Sequence, residues 1–144
     1  MPNQPNSQKN KGIEAIAYNK EKNILYYMYQ SEPVDSKKIL FVKINLNEDY
    51  EKSDENFNSN QVKISSMSIF NNNIYISETY HNILSIYKIN INKNKINKKL
   101  YFRYVFPKEE KIEGFAMDED NIYLGLDTDF LPYKYNLIKI IKPN

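Results

Sequence analysis

From Leu40 onward apolar and polar residues alternate: Leu40, Val42, Ile44 and Leu46 are apolar, and Lys43, Asn45 and Asn47 stand between them. A two-residue period is the signature of a strand that buries one face. Leu100, Phe102, Tyr104 and Phe106 repeat the pattern with Arg103 opposite, and Pro107 ends it, since proline has no N–H for a ladder. No segment of comparable length keeps a helical stripe, so the pattern predicts an all-β chain.

The strands recur at a fixed spacing. Ile13–Tyr18 (IEAIAY), Ile64–Ile69 (ISSMSI) and Ile112–Met117 (IEGFAM) each open a unit, and their starts lie 51 and 48 residues apart. A polar turn and an Asn-initiated strand follow in each case, beginning at Asn23, Asn73 and Asn121. Third strands are predicted at Ile39–Leu46, Ile83–Ile91 and Leu137–Ile141, and the middle unit adds a fourth at Leu100–Phe106. The opening strands carry small residues: Ala15, Ala17, Ser66, Ser68, Gly114 and Ala116. Strands crowded around a central axis need small side chains, and four-stranded antiparallel blades of a propeller recur at about 40 to 50 residues. The expected fold is therefore a partial β-propeller of about three antiparallel blades, spanning residues 12–47, 62–107 and 111–144 of a single domain. Residues 1–11 are expected to form a disordered tail. Glu48–Gln61 (EDYEKSDENFNSNQ) and Asn92–Lys99 are expected to be linkers, the first too poor in apolar residues to pack and the second a Lys/Asn hairpin loop. An ordinary antiparallel sandwich is the alternative architecture.

Three blades do not close a ring, because propellers typically have 4 to 8. Open blade faces and unpaired edges invite association. Either the chain is a fragment of a longer propeller, or two copies form a homodimer that completes a six-bladed ring.

Composition narrows the classes of function. Lys (19), Asn (21), Ile (19) and Tyr (13) make up 72 of 144 residues, while Gly (3) and Arg (1) are scarce, a bias towards AT-rich codons. Twenty basic and eighteen acidic side chains leave a net charge of +2, with no basic tract that would track phosphates, so no nucleic-acid partner is expected. No run approaches the ~20 apolar residues that span a bilayer. Met1–Lys11 lacks the apolar core of a secretory signal, and without cysteine there is no disulfide framework or thiolate zinc site.

Asn10-Lys11-Gly12-Ile13-Glu14-Ala15-Ile16-Ala17, followed by Leu25-Tyr26 and Gln30-Ser31-Glu32-Pro33, resembles the opening blade of the phytase-like propellers, the family with esterase-like activity of phytase. Ile112-Glu113-Gly114-Phe115-Ala116 with Asp127-Thr128-Asp129-Phe130 is similar to a second such blade, and Ile74-Tyr75-Ile76-Ser77-Glu78 to the strand that ends in Glu. The departures are Ala15 in place of Gly, Gln30 in place of an acid and Thr128 in place of Asn. A looser resemblance is to propellers of the SdiA-regulated type. The phytase-like resemblance implies a cation-assisted phosphoester or ester hydrolase, or a degenerate form of one, and a family often exported. The alternative from another class is a non-catalytic binding or scaffold module, with a small-molecule ligand or a protein as its partner.

The candidate metal ligands are Glu14 and Glu113, at equivalent positions of two units, together with Asp127. Ca²⁺ takes six to eight oxygens, and Glu78 and Asp129 at second-strand ends could add to the set. A cation so held polarises a phosphoryl oxygen or activates a water. Phosphate recognition would fall to Lys11 and Lys111, each just before an inner strand, since the one arginine, Arg103, is on an outer strand. The reading favoured over a metal site is that these acids are solvated strand-end residues or partners for lysine. From His81, in a turn, no Ser-His-Asp arrangement can be inferred, and no glycine-rich, EF-hand or zinc spacing occurs.

Overall fold

A computed structural model describes residues 13–30, 38–47, 51–58, 64–92, 95–127 and 136–143. Every regular element among them is a β-strand, and none of the described residues belongs to a helix long and apolar enough to cross a membrane. The strands are β1 (Ile13–Asn19), β2 (Ile24–Gln30), β3 (Lys38–Asn45), β4 (Glu51–Asn58), β5 (Ile64–Phe70), β6 (Asn73–Tyr80), β7 (Ile83–Asn92), β8 (Lys95–Val105), β9 (Ile112–Met117), β10 (Asn121–Leu126) and β11 (Leu137–Ile141). They form three antiparallel meanders in chain order, β1-β2-β3-β4, β5-β6-β7-β8 and β9-β10-β11.

Turn chemistry explains why the hairpins form. Asn71 and Asn72 connect β5 to β6 with φ of 45° and 61°. Two consecutive left-handed residues make the tight turn whose twist suits a hairpin, and asparagine tolerates that region better than most side chains. Asn23 (φ 53°) ends the β1–β2 turn in the same way, and His81 (φ 52°) opens the two-residue β6–β7 turn. These positions supply the conformation that glycine, nearly absent here, commonly provides.

The three sheets stack face to face through their opening strands. β5 lies between β1 and β9. Two apolar layers result. The first holds Ala15, Tyr26, Met28 and Phe41 from the first sheet against Ile64, Met67, Ile76 and Ile89 from the second. The second holds Tyr75, Leu84, Ile86 and Phe106 against Ile112, Phe115, Ile122 and Leu124. Strand register makes the units superimposable: Ala17, Ser68 and Ala116 sit opposite Tyr26, Tyr75 and Tyr123, which sit opposite Lys43, Lys88 and Lys139. Each opening strand has one β-bulge, at Glu14, Ser65 and Glu113, so the bulge is part of the repeat. Asn19 and Asn72 join the first two sheets through their amides (2.5 Å).

Four expectations about the strands are corrected. Glu51–Asn58, expected to be linker, is β4 and pairs along the whole of β3; backbone pairing at an edge needs no apolar side chains. Likewise β7 and β8 extend through much of the expected Lys/Asn loop, with Asn92 paired to Lys95. A bulge between Leu100 and Phe102 puts these two on opposite faces, so the side shared by Leu100, Phe102, Tyr104 and Phe106 is broken. Finally, β3 is apolar on both faces: Phe41 enters the first apolar layer, while Val42 and Ile44 point the other way.

Candidate functional site

At the edge where β9 begins and β10 ends, the Asp127 N–H donates to the Lys111 carbonyl (2.9 Å). This short bond brings the ends of the two strands together. The Lys111 ammonium donates to Asp127 Oδ2 and lies 3.5 Å from Glu113 Oε1. Three of the residues singled out in the sequence, Lys111, Glu113 and Asp127, therefore meet. Their common contact is an ammonium flanked by two carboxylates, all partly exposed. Surface pairs of this kind contribute little to stability.

Glu14 occupies the equivalent bulge of β1 and is exposed, and the second sheet, with Ser65 in its own bulge, lies between it and Glu113. Lys11 and Asp129 lie outside the described residues. Among the described residues no group of three or more His, Cys, Asp or Glu side chains converges as a metal cage would.

Glu78 has a different environment. At the end of β6 it is fully buried on the side facing the first sheet, where Ile74 and Ile76 also point. Lys98 reaches across from β8, its Nζ 2.8 Å from Glu78 Oε1 and 4.4 Å from the centre of the Tyr87 ring. The ring shields the ammonium from water on its way to the carboxylate. On the opposite face Ser77 Oγ lies 2.8 Å from Ser66 Oγ and 3.2 Å from Ser65 Oγ, a buried hydroxyl cluster that satisfies itself. Arg103 donates to the buried Ser85 hydroxyl (3.2 Å), so it anchors β8 to β7. His81 stands at a turn, edge-on to Tyr80.

The opposite end of the third sheet holds a hub that sequence patterns did not single out. Asp118 accepts from the backbone N–H groups of Asp120 (2.9 Å) and Asn121 (2.7 Å), from the Asn121 amide, and from the Tyr123 hydroxyl (2.9 Å). These donors, the Tyr123 hydroxyl foremost, hold its carboxyl below the ordinary carboxylate range, and the same bond raises the Tyr123 phenol. Lys142 donates to the Asp118 carbonyl and lies over the Phe70 ring (4.5 Å from its centre), tying the third sheet to the second. The Asp118-x-x-Asn121 spacing is an Asx-turn signal that could have pointed to the carboxylate. Burial raises the Tyr26 and Tyr75 phenols, as expected for rings inside the apolar layers.

No protein-family model matches this chain, and no curated protein matches it.

Proposed function

We propose that the chain is a partial β-propeller of three blades and that it works as a binding module through the outer faces of its two end sheets. The observation that carries this reading is positional. Ile16, Met67 and Phe115 occupy the same register in the three opening strands, yet Ile16 is 57% exposed while Met67 and Phe115 are 6% and 8% exposed. On the other outer face Leu137 is 63% exposed, while its equivalents Phe41 and Ile86 are fully buried. Apolar side chains exposed where their equivalents are core point to surfaces that take a partner. An environment-sensitive dye, anilinonaphthalene sulfonate, tests the reading at low protein concentration. The folded chain should enhance its fluorescence, and Ile16→Glu with Leu137→Glu should remove most of the enhancement while the melting temperature holds. A folded wild type that leaves the dye dark would overturn it.

The meeting of Glu113 and Asp127 at Lys111 favours a second reading, in line with the resemblance to phytase-like propellers. On that reading Glu113 and Asp127 would hold a divalent cation, Ca²⁺ by its preference for oxygen ligands, and the cation would supply polarisation of a phosphoester or ester oxygen. Calcium titration with thermal melting separates the two readings, because a ligand bound only by the native state raises the melting temperature by mass action. A calcium-specific rise that Asp127→Asn abolishes supports the hydrolase. Coincident melts in calcium and chelator support the binding module.

A further inference from the structure

Each sheet has two different faces. One carries the tyrosine of the repeat (Tyr26, Tyr75 or Tyr123) and the small residues of the opening strand, and is called here the tyrosine face. The other, the aliphatic face, carries Ile16 and Leu25 in the first sheet, Met67 and Ile74 in the second, and Phe115 and Ile122 in the third. Both internal contacts are made alike: the tyrosine face of one sheet covers the aliphatic face of the next. The molecule therefore shows twice what kind of surface covers each face. Among the described residues one face of each end sheet keeps apolar side chains exposed: Ile13, Ile16 and Tyr18 of the opening strand on the aliphatic face of the first sheet, where Val42 of the third strand is buried, and Leu137 and Ile141 on the tyrosine face of the third.

We infer, resting on the binding-module reading, that a second copy of this chain covers these exposed side chains, docked head to tail so that the tyrosine face of one third sheet lies on the exposed opening strand of its partner's first sheet. Such a contact repeats, at the opening strand, the pairing of faces already used twice within the chain. On the aliphatic side Ile13, Ile16 and Tyr18 are 59%, 57% and 49% exposed, while Ile64 and Ile112, the equivalents of Ile13, are 5% and 2% exposed. On the tyrosine side Leu137 and Ile141 stand out, and Ile141 is an apolar residue where the other two units have Asn45 and Asn90. Lys139 on this face is no obstacle, because Lys43 and Lys88 hold the same register beside the two internal contacts. Gly114 also leaves room there: a Cβ built on it meets no atom within 4 Å. A head-to-tail contact either closes into a ring or propagates, and two copies would bring six sheets together, within the range of closed propellers.

Light scattering on size-exclusion fractions tests the inference through complementation. The wild type should elute at twice its chain mass of 17.2 kDa. Ile16→Glu alone and Leu137→Glu alone should each be monomeric, because every contact then includes one damaged face. Mixed in equal amounts, the two should recover a dimer, since each keeps the face the other has lost. Circular dichroism melts check that both fold; if Ile16→Glu does not, Tyr18→Lys replaces it. A monomeric wild type overturns the inference. So does a single variant that still dimerises, which would mean like faces pair, and so do species beyond two copies, which would mean the ring stays open. A monomer that still lights up the dye separates the failures: the open faces would stand, and the second copy would not.

Discussion

The middle sheet and the first sheet are built to the same register, yet only in the middle one is the opening strand buried on both sides. Met67 and Ile16 show the difference at a single position, the first in an apolar layer and the second largely in solvent. The chemical types at the repeat positions are alike, so neighbours rather than residue choice decide which side chains are core.

Substitutions at equivalent positions offer the strongest way to break this comparison. Ile86→Ala, at a fully buried site, should cost about 2 to 5 kcal/mol in urea unfolding, while Leu137→Ala at the same register should stay within about 0.5 kcal/mol for the isolated chain at high dilution. Equal costs would mean that the third sheet's outer face is covered within the single chain.

A smaller effect is expected at Lys98. Lys98→Met withdraws a charged partner of the buried Glu78 and should cost about 2 kcal/mol, moderated because Lys98 is itself part-exposed, whereas Lys88→Met at an exposed site should be near neutral. Identical urea midpoints for the two variants would contradict a structural role for the pair. Smaller again, Asn71→Ala should cost about 1 kcal/mol, because alanine resists the positive φ of that turn, and Asn71→Gly should not.

The pH dependence sharpens the contrast between the ends of the molecule. The folded Asp118 carboxyl titrates below its unfolded value, so its contribution is complete above the ordinary carboxylate pKa and is lost as pH falls through the lower folded value. Tyr123→Phe removes the leading donor and should reduce the acid sensitivity of the melting temperature. Tyr26 and Tyr75 titrate above their unfolded value, so their contribution is complete below about pH 10 and is lost as pH rises through the folded values. Tyr75→Phe should flatten the alkaline limb, and an unchanged limb would count against burial of that phenol.

Much of the local structure was legible in the residues. Asn71-Asn72 between two apolar runs signals a tight hairpin, and the recurrence of Ile13, Ile64 and Ile112 locates the three opening strands, because strand period and turn chemistry are local properties. The third strand of the last unit coincides with Leu137–Ile141 as expected. By contrast β4 is polar apart from Phe57, and its pairing to β3 uses backbone groups that carry no side-chain pattern. The bulge at Tyr101 hides in the same way: it shifts the register by one residue and reverses which neighbours share a face. The candidate site was half legible. Lys111, Glu113 and Asp127 were marked by spacing and do meet, but that a lysine links the two carboxylates depends on how the β9 and β10 ends approach.

The amino-acid order alone determined the all-β class, the three-fold repeat and the turns, since periods of two residues and left-handed asparagines act within a few residues of chain. Tertiary structure decided which of two apolar faces on each sheet became interior and that Glu78 is buried against Lys98 rather than solvated. Those outcomes depend on which surfaces lie within about 4 Å of each other after the sheets stack, and burial, ion pairing and desolvation all follow from that contact.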